Sequence, residues 1–355
     1  MDYTFTEQMT VHADKMTGWM SRMFQAVGMG GKDARECAHH LVTADARGVY
    51  SHGCMRMGIY CGRLINGGTN PKGRPRIAKR KGCTVLVDGD NAMGPVVGVF
   101  AMKEAIKLAG KFGSSAVSVF GSNHIGACAY YAMMAADADM LGFSWTLGGS
   151  NIMAPWGGRD PRLGNNPLAI AVPCENRPHV VIDMAQSVVA RGKIVMARKT
   201  RTPIPETWAL DKDGRPTTDP EAAFLGTLQS VGGYKGYGMA FLTGILSTLL
   251  SGAAFGPGIV DGLGRPDAVQ NAGHLFQVID IAAFLSPAAF KKRVYDAVMY
   301  MKEAHKADGV EAILVPGEAE ARTLERQLQD GIRYPMEVIE ELRELSRKLG
   351  VAAGV

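Results

Sequence analysis

Residues 102–126 read MKEAIKLAGKFGSSAVSVFGSNHIG, and they pass through three kinds of local structure. The first part, 102–113, carries helix formers and closes on a glycine. The run AVSVF (116–120) then has the branched and aromatic texture of a strand, and the glycine-rich loop GSNHIG (121–126) follows it. Moving outward, TVLVDG (84–89) precedes the helix, another helical stretch follows the loop, and LGFSWTL (141–147), LAIAVP (168–173) and HVVIDM (179–184) are further strand candidates. Strands alternating with helices predict an α/β layer. The loop after AVSVF decides which kind. No strand of this sequence is followed by GxGxxG, so the Rossmann fingerprint and its downstream acidic ribose ligand are absent. GSNHIG has the outer glycines of a P-loop, but no GK[ST] follows and a nucleoside triphosphate site is excluded. The fold class expected is therefore mixed α and β, but not Rossmann.

The flanks are helical. Val11, Met16, Met20, Met23, Phe24 and Val27 recur at helical spacing; after the GMGG break, Asp33 is the expected N-cap of a second helix running to about Gly48. Ser51-His52-Gly53 then marks a turn and a short helix ends at Gly67-Gly68, before Pro71. GGYKGYGMAFLTGILSTLLSGAAF (232–255) reads as a glycine-rich entry to a long buried helix, and the tail from Pro287 as two helical pieces around a strand EAILVPG (311–317). The chain is thus read as helical at both ends, with an α/β stretch between them and a surface excursion at about 203–222 whose GRPTTDP (214–220) is least structured.

Composition narrows the function. The 355 residues are 46% apolar and 21% charged, so a packed interior is expected. The net charge of +5 is small and dispersed, which argues against nucleic acid as a partner. The longest apolar stretch, 239–255, is interrupted by Thr243, Gly244, Ser247, Thr248, Ser251 and Gly252, so no membrane span is expected. MDYTFTEQMTVHADK has no apolar core of a secretory signal, and the six cysteines form no CxxC pair; reduced thiols and a cytoplasmic location are expected.

Histidine moves protons near neutral pH, and a carbinol-to-carbonyl oxidation must lose one proton for each hydride. His52 in SHG and His124 in SNHIG are flanked by small turn residues that leave a ring accessible. Arg56 and Tyr60 follow His52 at four-residue intervals and share its face, and a guanidinium holds a carboxylate in two hydrogen bonds. DMAQSVVARGK places Asp183, Ser187, Arg191 and Lys193 just beyond a strand end, where α/β sheets commonly hold cofactors. GGYKGYG sets Lys235 among glycines ahead of a helix, where a pyrophosphate or mere close packing fits equally. His39 and His40, near Cys37 and Asp45, point about 100° apart on a helix and are read as structural, so no metal is expected.

Six ordered motifs, SHGCMRMGIYCGRLINGGTNP, GSNHIGACAYYAMMAA, APWGGRDPRLGNNPLAIAVP, DMAQSVVARGK, WALDKDGRPTTDP and GGYKGYGMA, resemble the type-2 malate/L-lactate dehydrogenase family over roughly residues 5–345. That family includes ureidoglycolate, sulfolactate and diketogulonate oxidoreductases and reductases of cyclic imino acids. The resemblance implies a homodimer, each chain with a helical domain, 1–75, completed by about 288–355, and an α/β cofactor-binding domain, 76–287, that uses NAD or NADP to interconvert a small 2-hydroxy acid and its 2-oxo acid, with a cyclic imino acid as the alternative substrate. It implies that His52 or His124 is the acid/base and that Ser51, Arg56 and Tyr60 meet the carboxylate substrate. Cofactor contacts are expected at Val181, Ile182, Asp183, Met184, Ala185, Gln186, Ser187, Tyr234, Lys235, Pro316, Gly317 and Glu318. Arg191, Lys193 and Arg198 make a 2′-phosphate, and so NADP, plausible. Two departures from the family pattern stand out. Many relatives read GTNP where this chain has Gly164-Asn165-Asn166-Pro167, and PLGGYKG where it has Ser230-Val231-Gly232-Gly233-Tyr234. In the first, an amide replaces a methyl near the substrate. Arg159 and Arg162 add charge that a second acidic group could use.

Overall fold

A computed structural model describes residues 7–262 and 264–355; the first six residues of the N-terminal stretch read above lie outside it. The chain opens with β1 (Gln8–Val11), α1 (Ala13–Ala26) and α2 (Gly31–Ala46), then makes two 3₁₀ turns, Tyr50–His52 and Cys54–Arg56, before α3 (Met57–Ile65). The sheet region runs β2 (Arg76–Lys81), β3 (Thr84–Asp88), α4 (Gly94–Phe112), β4 (Ser114–Ser122), α5 (Ala129–Ala136), β5 (Met140–Thr146), β6 (Leu168–Val172) and β7 (Val180–Met184). An excursion of α6 (Arg191–Thr200), β8 (Ala209–Leu210), α7 (Pro220–Leu225), β9 (Thr227–Leu228) and α8 (Tyr234–Gly244) precedes β10 (Ala272–Asp280). The tail is α9 (Pro287–Lys302), α10 (Glu318–Asp330), β11 (Ile332–Pro335) and α11 (Met336–Lys348).

The main sheet has seven strands in the order β2-β3-β4-β10-β5-β6-β7. Only β3 and β4 run parallel, joined across α4; the other pairings are antiparallel. Helix α4 fits that crossover because Val97, Ala101, Met102, Ala105, Leu108 and Ala109 form one buried stripe, and Gly113 closes it in the left-handed region at φ 84°. Val85, Val87, Val117, Val119, Phe276 and Val278 supply the sheet face of that core. A second core joins the two chain ends: Trp19, Met20 and Phe24 of α1 pack with Leu41 of α2, Tyr334 of β11 and Ile339 of α11. The strand pair β1–β11 clips those ends together, and the Trp19 indole N–H donates to Ser346 Oγ at 2.8 Å.

Several expectations need correction. The N-cap of α2 is Gly30, and Asp33 sits in the first turn. Residues 311–317 form no strand: Pro316 has no N–H, the Ile313 carbonyl accepts from Lys302 Nζ, and the Val315 N–H donates to Glu318. The tail strand is instead β11, and three helices, not two, accompany it. Residues 232–255 are not one buried helix. After α8 a π turn, Ile245–Leu249, carries the chain on, and Phe241, Leu242, Leu249 and Leu250 are exposed. At 214–220, Pro216 forms a bridge with Leu210 and Asp219 caps α7.

Candidate active site

Helix α2 delivers the chain to the SHG turn, and a buried carboxylate fixes that turn. Asp45 Oδ2 accepts the Cys54 N–H at 2.8 Å and the Tyr334 hydroxyl at 3.3 Å. A Cβ on Gly53 would lie 1.7 Å from Asp45 Oδ1, so only glycine fits. Burial pushes the Asp45 carboxyl up to about 7, against the Cys54 and Tyr334 donors. On the other side β4 ends and buried Asn123 anchors the loop, its amide donating to Asn91 and to the Ala92 carbonyl while Oδ1 accepts from Arg63 and Thr69. Gly126, at φ 73°, lies so close to His40 that a Cβ would come within 2.2 Å of that ring.

These two turns converge. The imidazoles of His52 and His124 stack with centroids 5.6 Å apart and planes at 21°. The Tyr60 hydroxyl lies 2.8 Å from His124 Nδ1, and Ser51 Oγ lies 2.9 Å from His52 Nδ1. His124 Nδ1 also accepts the Gly126 N–H at 3.2 Å, which leaves the hydrogen of a neutral ring on Nε2. Arg56 donates from Nε to the Ser51 carbonyl at 2.7 Å, and its terminal nitrogens make no hydrogen bond to the described residues. Both residues keep partial exposure, as their small neighbours suggested, although the surrounding protein withdraws the rings from bulk water. Burial and then Arg56 hold His52 down at about 4, and burial, Arg56 and His52 hold His124 well below its usual range. Both imidazoles are neutral near pH 7.

A cavity of about 370 Å³ opens beside His52. Ser51 and His52 form one part of its wall; Val181, Ile182, Asp183 and Ala185, from the end of β7, form another, with Pro316 and Gly317 beyond. Asp183 is pinned by the first turn of α5, accepting the Ala129 N–H at 2.8 Å; burial nevertheless raises its carboxyl to about 6. The other expected cofactor residues are not in this wall. Met184 does not line it. Gln186 turns inward, donating to the Asn166 carbonyl and Thr243 at 2.8 Å each, and Ser187 donates to the Val189 carbonyl. Tyr234 and Lys235 stand at the start of α8, where the Tyr234 ring meets Trp156. Glu318 points away from the cavity, into a clamp with Lys302 at 2.7 Å and Arg322 at 2.6 Å.

The basic residues expected near a 2′-phosphate are engaged elsewhere. Arg191 and Arg198 lie over Phe224, Arg198 also pairs with Glu221, and Lys193 lies over Trp208. Arg159 and Arg162 pair with Asp213 and Asp160. Asn165 does line the cavity, whereas Asn166 is buried, bonding Gly148 and Ala240. Sequence reading missed Arg47 and Glu320, which also line it. Neither belongs to a motif with a chemical signature, and an Arg just past a helix end reads as a cation on the helix dipole.

A family model described as malate/L-lactate dehydrogenase matches residues 11–343. The malate dehydrogenase of Pyrococcus horikoshii is 36% identical, covering 98% of each chain. Its solved structure superposes with a TM-score of 0.91 over 99% of both chains, at 34% identity. The L-sulfolactate dehydrogenase of Methanocaldococcus jannaschii is 38% identical over 91% of this chain and 92% of its own. A Δ1-piperideine-2-carboxylate reductase structure from Pseudomonas syringae pvar. tomato matches at TM-score 0.84 and 25% identity, covering 95% and 99%. Relatives named for NAD(+) and for NADP(+) both match. A family model spanning nearly the whole length, relatives aligned end to end and two histidine turns folded into one cleft lead to one conclusion: this chain belongs to the malate/L-lactate dehydrogenase family.

Proposed function

We propose that this protein interconverts a small 2-hydroxy acid and its 2-oxo acid with NAD or NADP. The observation that carries the reading is His52 on the wall of a cavity sized for small molecules, stacked on His124, which bonds Tyr60, with Arg56 near enough for its charge to act on both rings. The wall is suited to a nicotinamide: apolar Val181 and Ala185 alternate with the Asp183 carboxylate and the Gly317 backbone. When bound, the nicotinamide supplies or accepts the hydride. The terminal nitrogens of Arg56 hold the substrate carboxylate as a fork. His52 faces the cavity, and with Nδ1 on Ser51 its Nε2 takes the hydroxyl proton in oxidation. A bound carboxylate offsets the Arg56 charge and raises the His52 pKa from about 4, strengthening it as a base. His124, with its Nε2 hydrogen and its Tyr60 partner, orients the reacting oxygen.

His52→Asn is expected to lower kcat by about a hundredfold or more at a nearly unchanged KM, and His124→Asn to act mainly on KM for the acid. Near-normal turnover in His52→Asn would remove the acid/base assignment. Reduction of a cyclic imino acid is the second reading, and the neutral histidines favour it: a protonated imine needs no proton from a ring held near pKa 4. A panel of 2-oxo acids and cyclic imines, run with both reduced cofactors and followed by nicotinamide absorbance, separates the two readings.

The exposed Phe241, Leu242, Leu249 and Leu250 support the homodimer that the family resemblance implies. Light scattering should give twice the chain mass. Six free cysteines suit a reducing cytoplasm.

A further inference from the structure

Two buried arginines of this protein are treated in opposite ways. Arg63, 4% exposed, gives its guanidinium to the Gly68, Arg265 and Ala268 carbonyls and to Asn123 Oδ1. Arg47, 8% exposed, follows α2 directly and lines the cavity, yet its side chain makes no hydrogen bond or ion pair among the described residues. Asp183 and Glu320 lie near enough to feel its charge, but neither carboxylate comes within 4.0 Å of it. A guanidinium cannot shed its proton, and this one reaches solvent only through the cavity and has no protein counter-charge within 4.0 Å among the described residues. The wall at Arg47 is therefore built for an anion.

The surroundings say which anion. Arg56 already offers free terminal nitrogens beside His52 and His124, where a substrate carboxylate belongs. Arg47 shares its wall with Gly317, the N-cap of the thirteen-residue helix α10, and no side chain caps that end. The Glu318 N–H is taken by the Val315 carbonyl, and the N–H groups that follow it, at the positive end of the helix, suit a phosphate. Glu320, on the same wall, is an acceptor suited to a ribose hydroxyl, the group next to a phosphate in any nucleotide.

We propose that Arg47, with the N-terminal turn of α10, binds the nicotinamide-side phosphate of the dinucleotide, while Arg56 is left for the substrate carboxylate. This rests on the dinucleotide reading above. The test is calorimetric: reduced nicotinamide mononucleotide, which has one phosphate, and reduced nicotinamide riboside, which has none, are titrated into the wild type, Arg47→Met and Arg47→Gln. The affinity gained from the phosphate should shrink about ten- to a hundredfold in either neutral variant, with riboside binding unchanged. Both variants should keep the wild-type melting temperature or exceed it, since an unpaired buried charge is being removed. An undiminished phosphate gain in whichever variant folds overturns the proposal. So does a loss confined to 2-oxo acid binding by the enzyme–NADH complex, which would make Arg47 a carboxylate site. If the wild type binds neither nicotinamide ligand, it is the dinucleotide reading itself that fails.

Discussion

Gly53 is glycine for want of space and not for its dihedral angles, which are φ −96° and ψ −145°. Gly53→Ala would drive a methyl into the Asp45 carboxylate and should destabilise the fold by about 1–3 kcal/mol, with lost turnover because His52 is the next residue. An unchanged denaturant midpoint would show that the turn yields at no cost. Arg56→Lys keeps the charge but loses the fork; KM for the acid should rise about tenfold or more while cofactor affinity holds. Steady-state kinetics with each substrate varied in turn checks this, and an unchanged KM for the acid would move the carboxylate elsewhere.

At the scale of elements, the start of α10 is held by an ion cluster. Burial alone would raise the Glu318 carboxyl, but Lys302, the Val315 N–H and Arg322 overcome it and hold it down at about 2. Its contribution is present above the unfolded value near 4.5 and is lost as pH falls toward 2. Glu318→Gln should cost on the order of 3 kcal/mol at pH 7 by stranding the Lys302 ammonium. Because Glu318 faces away from the cavity, cofactor affinity should fall only as far as α10 loosens. Urea unfolding at pH 7 and pH 3 tests the clamp: a variant penalty that is equal at both would rule out the charge as its origin. The same segment explains why EAILVPG misled. Its apolar centre has the composition of a strand, but its polar groups are taken by Lys302, Glu318 and β7, the last through the Val181 N–H on the Pro316 carbonyl at 3.0 Å.

Across the whole molecule, four histidines are held neutral by burial: His40 and His274 near 3, His52 near 4, and His124 lower than usual. A depressed histidine stabilises the fold above its unfolded value of 6.5 and loses that contribution as pH falls toward 3–4. Asp45 and Asp183, raised to about 7 and about 6, act in the opposite sense and lose stability as pH rises from 3.8. The four depressed histidines outweigh the two raised carboxyls, so stability should fall as pH drops below 6.5. Denaturant midpoints from pH 7.5 to 4.5 measure it, and a flat profile would mean that the rings are solvated.

The amino-acid order alone settled the strand–helix alternation, the exclusion of a Rossmann loop, and the SHG and SNHIG turns, because periodicity and glycine placement are local properties of a chain. It also carried the family resemblance. It could not show that Ser51, His52, Tyr60 and His124 meet, that Gln186 and Glu318 turn inward, or that Arg191 and Arg198 rest on Phe224. Those outcomes depend on which buried polar group finds a partner across the fold, a competition among distant residues that only packing resolves. Arg47 is the sharpest instance. In the sequence it is one more cation after a helix, and only its place on the cavity wall, with no counter-charge in contact among the described residues, makes it a charge in need of a ligand.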